Sequence, residues 1–204
     1  MIKAVIFDFD GVIADSLPVV EQSARIALQR LKYPFPSISR EDSLWNIITQ
    51  KMSLNFFQRM RLIRAIKKEV AGKVGDISVF EGMREVLTEL MKTHTVFILS
   101  SNSHETISSI FSRYRFPSLE IVSDTSLFGK DKKLKRVLKK KNLSHNEVIY
   151  IGDEIRDVEA CKKVNIRMLA VSWGYNSEKA LSKAGSTQII RTPKDILKFV
   201  RQQV

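Results

Sequence analysis

The chain has 204 residues, of which 34 are basic and 22 acidic, giving a net charge of +12, and it contains one cysteine, Cys161. This length is sufficient for one full-sized core with a small second domain, and a lone cysteine excludes an intrachain disulfide. The longest apolar runs, such as TVFIL at 95–99, are too short to cross a bilayer, and the N-terminus has neither a signal-peptide nor a transit-peptide pattern. We therefore expect a cytoplasmic protein with no membrane span.

Short β-rich runs alternate with helical patterns along most of the chain. The predicted strands are KAVIFD at 3–8, TVFILS at 95–100, LEIV at 119–122, EVIYI at 147–151 and RMLAV at 167–171. The predicted helices cover 82–92, 104–114, 131–141, 155–163 and 193–202. Strands separated by single helices indicate right-handed crossovers and a mostly parallel sheet with both faces covered. The sequence therefore predicts an α/β core.

The segment after the first strand interrupts this alternation. It contains no convincing strand but has periodic apolar positions in LPVVEQSARIALQRL, in SLWNIITQKM and in LNFFQRMRLIRAIKKEV, with a loop, YPFPS, at 33–37. Such a long helical insertion does not fit a simple crossover. We predict a core domain of residues 1–15 and 81–204, and a helical cap subdomain of residues 16–80 that lies over the strand ends.

Polar side chains follow four of the predicted strands at the points where those strands end. They are found in FDFDG after the first strand, in SSN at 100–102, in SD at 123–124 and in GDEIRD at 152–157. Because ligands of an open parallel sheet bind at the carboxyl ends of its strands, we expect these side chains to lie around one crevice.

Five carboxylates would converge there: Asp8, Asp10, Asp153, Glu154 and Asp157. They would repel one another in an empty site, and a hard cation with oxygen ligands relieves that repulsion. Mg²⁺ is the natural candidate, because it binds through one or two carboxylates and keeps coordination positions for water and a phosphate oxygen.

Asp8 and Asp10 are two residues apart at the end of a strand, so they lie on the same face. One carboxylate can act as a nucleophile that forms an acyl phosphate, while the other donates a proton to the leaving oxygen and later accepts one from water. Gly11 permits the tight turn that follows them. This arrangement predicts phosphate-ester chemistry.

FDFDGVIADS, the strand that ends in Ser-Ser-Asn, a lysine before a helix, and YIGDEIRD resemble, in order and spacing, the four motifs of the haloacid dehalogenase-like (HAD) hydrolase superfamily. The resemblance covers nearly the whole chain. It is to the phosphatase branch with a helical cap, which includes phosphoglycolate phosphatase and beta-phosphoglucomutase. It implies a three-layer α/β sandwich with a Rossmann-like sheet and an inserted helical cap.

The resemblance also implies roles for the first two motifs. Asp8 would be the nucleophile and Asp10 the general acid/base, and the backbone carbonyl of Asp10 would bind Mg²⁺ together with Asp8 and Asp153. Ser101 would hold the phosphate with Asn102 beside it. Ser100 is the alternative if the strand ends one residue earlier.

The third motif is a lysine that neutralises the phosphate and the nucleophile. We choose Lys130, because Asp131 is predicted as the helix N-cap and the lysine before it would lie at the crevice; Lys132 and Lys133 are the alternatives. In the fourth motif, Asp157 would orient a metal-bound water or Lys130. Glu154 is an alternative for that role.

The resulting hypothesis is a Mg²⁺-dependent phosphomonoesterase that hydrolyses a small phosphorylated metabolite through an aspartyl-phosphate on Asp8. A phosphomutase of the beta-phosphoglucomutase type is the first alternative. A catalytically inactive nucleic-acid-binding protein, suggested by the charge of +12, is the second. We do not expect nucleic acid as a partner, because the apolar residues of the basic run 129–141 have helical spacing and leave its lysines on a solvated face.

We also make predictions for residues outside the four motifs. Asp15 and Ser16 are predicted to begin the first cap helix. Cys161 is predicted to face the core of a helix and to be unreactive. The substrate and the oligomeric state are left open by the sequence. Cap arginines that could contact a second anionic group are Arg25, Arg30, Arg40, Arg59, Arg61 and Arg64.

Overall fold

The computed structural model describes residues 1–37, 39–42, 47–123 and 129–202. The strands in these residues are β1 (Ala4–Phe7), β2 (Ala14–Asp15), β3 (Ser78–Val79), β4 (Thr95–Ser100), β5 (Glu120–Ser123), β6 (Val148–Gly152), β7 (Arg167–Val171) and β8 (Ile189–Ile190). The α-helices are α1 (Leu17–Leu31), α2 (Phe56–Ala71), α3 (Met83–Leu90), α4 (His104–Arg113), α5 (Lys130–Lys141), α6 (Ile155–Val164), α7 (Glu178–Lys183) and α8 (Pro193–Arg201). None of these described helices has both the length and the apolar character needed to cross a membrane.

Six strands form one sheet in the order β5-β4-β1-β6-β7-β8, and every pairing in it is parallel. The fully buried strand β1 lies at its centre, between β4 and β6. The strand order therefore reverses at β1, and the carboxyl end of β1 is the topological switch point where ligands of such sheets bind.

Side chains that alternate along β1 pack on opposite faces of the sheet. Val5 and Phe7 belong to one hydrophobic cluster with residues of α3, α4 and α8. Ala4 and Ile6 belong to a second cluster with residues of α5 and α6. The sheet is thus covered by helices on both sides, and the predicted three-layer α/β class is confirmed.

The helical insertion between β2 and β3 has a hydrophobic cluster of its own. Ala27 and Leu28 of α1 pack in that cluster with Leu62 and Ile66 of α2. The chain enters and leaves the insertion through β2 and β3, which pair antiparallel. These features support the division proposed from the sequence, with residues 16–80 as a cap.

Most predicted core elements agree with the structure to within one or two residues at each end. Four short elements, β2, β3, β8 and α7, were not predicted from the sequence. The three missed strands have two residues each and α7 has six, too few to give a periodic signal. Residue Asp124 of the predicted SD pair and residues 43–46 of SLWNIITQKM lie outside the described residues.

We predict that Leu62→Ala lowers the free energy of unfolding by about 2–5 kcal/mol, because Leu62 is fully buried in the cap cluster and its truncation leaves a cavity. Phe57→Ala on the same helix is the control. Phe57 is 81% exposed, so its truncation should change stability by less than about 0.5 kcal/mol. Urea unfolding followed by circular dichroism measures both; equal effects would contradict a packed cap cluster.

Candidate active site

Asp8 follows β1 directly and is buried at the carboxyl end of the sheet. Its Oδ1 accepts a hydrogen bond from the backbone N–H of Phe9 at 2.7 Å, and its Oδ2 accepts one from Lys130 Nζ. The ammonium of Lys130 also donates to Asp157 Oδ1 and lies 5.2 Å from the centre of the Tyr150 ring. Of the three lysines considered, Lys130 therefore has the contact expected of the phosphate-binding residue, while Lys132 is exposed.

Lys130 reaches Asp8 because α5 begins at Lys130 itself. The N-cap is Gly129, whose φ of 76° is in the left-handed region that favours glycine. The prediction of Asp131 as the N-cap was wrong: Asp131 lies in the first turn of the helix. Lys130 lies at the start of the helix, and the residue that caps the helix is the glycine before it.

Each of Asp8, Asp153 and Asp157 has a carboxylate oxygen within 4.8 Å of the others, and all three residues are buried. Asp157 Oδ1 accepts from Lys130, and its Oδ2 accepts from the backbone N–H groups of Asp153 and Glu154 at 3.2 and 3.1 Å. Both oxygens of Asp157 are therefore engaged in holding Lys130 and the turn after β6. This is the orienting position expected for Asp157.

The carboxylate of Asp153 is only half satisfied. Its Oδ2 accepts from the backbone N–H of Tyr175 at 2.7 Å, whereas its Oδ1 is buried without a hydrogen-bond partner. Burial raises the pKa of Asp153 well above its ordinary value, and the neighbouring Glu154, Asp157 and Asp8 raise it further. An unsatisfied buried oxygen beside other carboxylates fits a hard cation such as Mg²⁺.

Asp10 is held by two neutral polar side chains. Its Oδ1 accepts a hydrogen bond from Ser16 Oγ at 2.7 Å, and its Oδ2 accepts one from Asn102 Nδ2 at 2.7 Å. Burial raises the pKa of Asp10, and the charge of Asp8 adds to that shift. The two aspartates of FDFDG thus have different surroundings. Asp8 accepts a hydrogen bond from the Lys130 ammonium, whereas Asp10 accepts hydrogen bonds from neutral polar side chains.

Two residues in contact with this region were missed or misassigned from the sequence. Ser16 lies at the N-cap position of α1, as expected, but its side chain makes no capping hydrogen bond and donates to Asp10 instead. The hydroxyl of Tyr175 lies 2.9 Å from Ser16 Oγ. Tyr175 thereby connects the Asp10 carboxylate, through Ser16, with Asp153, through its backbone N–H. The sequence around Tyr175 has no feature that indicates this role.

The residues after β4 separate into a buried and an accessible set. Ser100 is the last residue of β4, and its buried Oγ accepts from the backbone N–H of Asn102 at 3.1 Å. Ser101 lines the cavity described below, together with Asn102. This arrangement favours Ser101 over Ser100 as the phosphate-binding hydroxyl.

A cavity of about 460 Å³ lies between the strand ends and the cap. The core lines it with Asp10, Ser101, Asn102 and Arg156, among others. The cap contributes mainly aliphatic side chains of α1 and α2, together with Lys67. Asp10 therefore lies where the reacting end of a bound molecule would meet the core.

Glu154 and Arg156 form a pair beside this cavity. Arg156 Nε donates to Glu154 Oε1 at 2.8 Å, and burial raises the pKa of Glu154. Glu154 was considered as a residue that orients Lys130, but the contact with Lys130 is made by Asp157. Arg156 was not identified from the sequence, although it lies within GDEIRD.

None of the six cap arginines considered from the sequence is among the described residues that line the cavity. Arg40 Nη2 donates to the carbonyl oxygens of Ser172 and Gly174 at 2.9 and 2.7 Å. In return, the backbone N–H of Ser177 donates to the carbonyl of Arg40 at 2.8 Å. Arg40 thus binds a cap loop to the core loop that carries Tyr175. Arg30 pairs with Glu69 instead, at 2.7 Å.

The parallel sheet, the helical insertion after its central strand and the carboxylate cluster at the switch point agree with the α/β class predicted from the sequence. Residues 5–171 match the haloacid dehalogenase-like hydrolase family, and the chain belongs to this family. The predicted superfamily and enzyme class are confirmed.

Relatives with known names cover almost the whole chain. A phosphoglycolate phosphatase from Synechococcus elongatus is 31% identical over 98% of each chain. A phosphorylated carbohydrates phosphatase from Thermotoga maritima is 26% identical over 98% of this chain and 99% of its own. A solved structure, described as a predicted phosphatase from Clostridium acetobutylicum, superposes with a TM-score of 0.85 at 19% identity, covering 99% of both chains, and shares the fold. The chain is thus an enzyme similar to the phosphatases of its family.

We predict that Arg40→Ala weakens protection of the backbone amides of residues 172–177 by about 1–3 kcal/mol, because the substitution removes charge-assisted hydrogen bonds to that loop. Hydrogen–deuterium exchange with mass spectrometry measures this directly. Arg61→Ala, at an exposed position of α2, is the control and should leave exchange in the loop unchanged. Equal protection in both variants would show that Arg40 does not restrain the loop.

Proposed function

We propose that the protein is a Mg²⁺-dependent phosphomonoesterase that hydrolyses a small phosphorylated metabolite through an aspartyl-phosphate on Asp8. The observation that carries this proposal is the position of Asp8, which lies between the Lys130 ammonium and the half-satisfied Asp153 carboxylate. The relatives named as phosphatases of phosphoglycolate and of phosphorylated carbohydrates support the same class of substrate.

Asp8, Asp153 and the backbone carbonyl of Asp10 would hold the Mg²⁺ ion. The unsatisfied buried Oδ1 of Asp153 supports this assignment, because leaving such an oxygen without a partner is costly. When bound, the ion supplies positive charge that offsets the charge of the phosphate and of the nearby carboxylates. Asp157 is better suited to orient Lys130, since hydrogen bonds already occupy both of its oxygens.

Asp8 is the proposed nucleophile. Burial raises the pKa of Asp8, and Lys130 opposes that shift, so the lysine favours the ionised carboxylate that attack requires. A bond forms between a carboxylate oxygen of Asp8 and phosphorus while the bond from phosphorus to the ester oxygen breaks. Lys130 offsets the negative charge of the transferring group. Ser101 and Asn102 would hold the phosphate oxygens from the opposite side.

Asp10 is the proposed general acid and base. Its raised pKa increases the protonated fraction near neutral pH, and its carboxyl lines the cavity that would hold the leaving group. In the first step Asp10 gives a proton to the leaving oxygen, which departs as an alcohol. In the second step it accepts a proton from the water that attacks the aspartyl-phosphate, and this releases phosphate and restores Asp8.

The two alternative functions receive less support. A phosphomutase would have to hold a sugar bisphosphate against the cap, but the cap side of the cavity is mainly aliphatic among the described residues. A nucleic-acid-binding role rested on the basic run at 129–141. There Leu134 and Val137 are buried against the sheet, which leaves the outward lysines on an ordinary solvated helix face.

We expect the wild type to release phosphate from members of a panel of phosphorylated metabolites in the presence of Mg²⁺ and not with EDTA. Asp8→Asn should abolish turnover, because an amide cannot form the acyl phosphate. The control is Asp76→Asn, the same change at an exposed position, which should retain activity. Metal-independent turnover, or an active Asp8→Asn variant, would refute the proposed mechanism.

We expect Lys130→Met to lower kcat/KM by about 100-fold or more, since it removes a charge placed beside the nucleophile. Lys132→Met removes an exposed charge two residues away and should change kcat/KM by less than about twofold. Circular dichroism of both variants controls for folding. If Lys132→Met is the more damaging substitution, the phosphate-binding lysine has been misassigned.

A further inference from the structure

The cap side of the cavity has an aliphatic wall built from one face of α2. Ile63, Ile66 and Val70 line the cavity and are three and four residues apart, a spacing that puts them in one stripe along the helix. Val20 of α1 extends the same surface. A molecule that reaches the cap from the strand ends therefore meets methyl and methylene groups over much of the wall.

The opposite end of the cavity is polar and reactive. Asp10, Ser101 and Asn102 lie there, at the carboxyl ends of β1 and β4. If the proposed phosphatase chemistry is correct, the phosphoryl group binds at this end. The alcohol part of the ester must then extend toward Ile63, Ile66 and Val70.

The size of the cavity indicates how large that alcohol part is. A volume of about 460 Å³ is within the range of sites for ligands of drug-like size, roughly 300–1,000 Å³. A two-carbon alcohol would leave most of the aliphatic wall in contact with water. An apolar wall contributes to affinity only when the ligand removes it from water.

We propose that the preferred substrates are phosphate monoesters whose alcohol carries an apolar group of several carbon atoms, and that Ile63, Ile66 and Val70 form the specificity-determining surface. This inference rests on the proposed phosphatase function. Recognition of a short acidic ester is the competing possibility, because Lys67 also lines the cavity. Arg156 is the second cation among the described lining residues, but its charge is already paired with Glu154.

The test uses two homologous series with Mg²⁺ present. Primary alkyl phosphates from methyl to hexyl have leaving groups of nearly constant basicity, so their kcat/KM values report contacts of the alkyl chain rather than leaving-group reactivity. The corresponding alkylphosphonates cannot be hydrolysed at the ester position, and their dissociation constants come from calorimetry. We expect each added methylene to raise kcat/KM and to tighten phosphonate binding by about two- to fourfold, until the cavity is filled.

Variants of the cap wall identify the surface responsible. Val70→Thr replaces one methyl group by a hydroxyl at nearly the same volume. Ala71→Phe fills space at another position of the cavity lining. Both substitutions should reduce the increase in kcat/KM, and in phosphonate affinity, that each added methylene gives. Lys68→Phe introduces the same side chain at an exposed position of α2 outside the cavity lining and should leave the gain unchanged.

Phosphoglycolate separates failure of this inference from failure of the proposed function. Hydrolysis of phosphoglycolate with no gain along the alkyl series would overturn the inference and leave the phosphatase function intact. Absence of turnover on every ester would overturn the phosphatase function. In that case the phosphonate series still tests whether the aliphatic wall binds alkyl chains. Dissociation constants that do not fall as the alkyl chain lengthens would overturn the inference by themselves.

Discussion

Asp8, Asp153 and Asp157 are buried within 4.8 Å of one another, and their ionised carboxylates repel one another unless a positive charge offsets the repulsion. The ammonium of Lys130 offsets part of it, because this one cation contacts the two carboxylates of Asp8 and Asp157. This contact depends on the start of α5, because Lys130 is the first residue of that helix. The buried Oδ1 of Asp153 remains without a hydrogen-bond partner. A cation at the proposed metal site would therefore offset the negative charge that Lys130 does not offset.

The loops after β1 and β7 close on Asp153 from two sides, and glycine makes that approach possible. A Cβ on Gly11 would lie 2.0 Å from Asp153 Oδ2, and one on Gly174 would lie 2.3 Å from the same oxygen. Gly11 also has a φ of 71°, which other residues rarely adopt. Close packing of these loops brings the N–H of Tyr175 to the carboxylate, and Arg40 attaches the cap to the same loop. The segment that carries Tyr175 thus contacts both Asp153 in the core and Arg40 in the cap.

The sequence predicted those parts of the site that a strand end or a helix start marks locally. Asp8 and Asp153 follow buried strands, and Lys130 begins an amphipathic helix, so the predicted strand ends and helix start, together with the resemblance to the family motifs, pointed to them. Contacts between distant segments left no such signal. Ser16 and Tyr175 are 159 residues apart in the chain, and the bonds from Arg40 to the core loop span more than 130 residues. Neither contact follows from propensity or spacing, because both depend on how the cap packs on the core.

The positions of Asp10 and Ser16 indicate which steps of the proposed reaction depend on the core and which depend on the cap. Asp10 belongs to the core turn, but the hydroxyl that holds its Oδ1 belongs to the residue at which the first cap helix begins. A displacement of α1 would therefore move Ser16 relative to Asp10 and alter the hydrogen bonding of the proposed acid. The proposed nucleophile lacks this dependence, because Asp8 is held by Lys130 and by the backbone N–H of Phe9, both within the core. In the proposed mechanism, attack on phosphorus would therefore depend on groups of the core, whereas proton transfer to the leaving alcohol would also depend on the position of the cap.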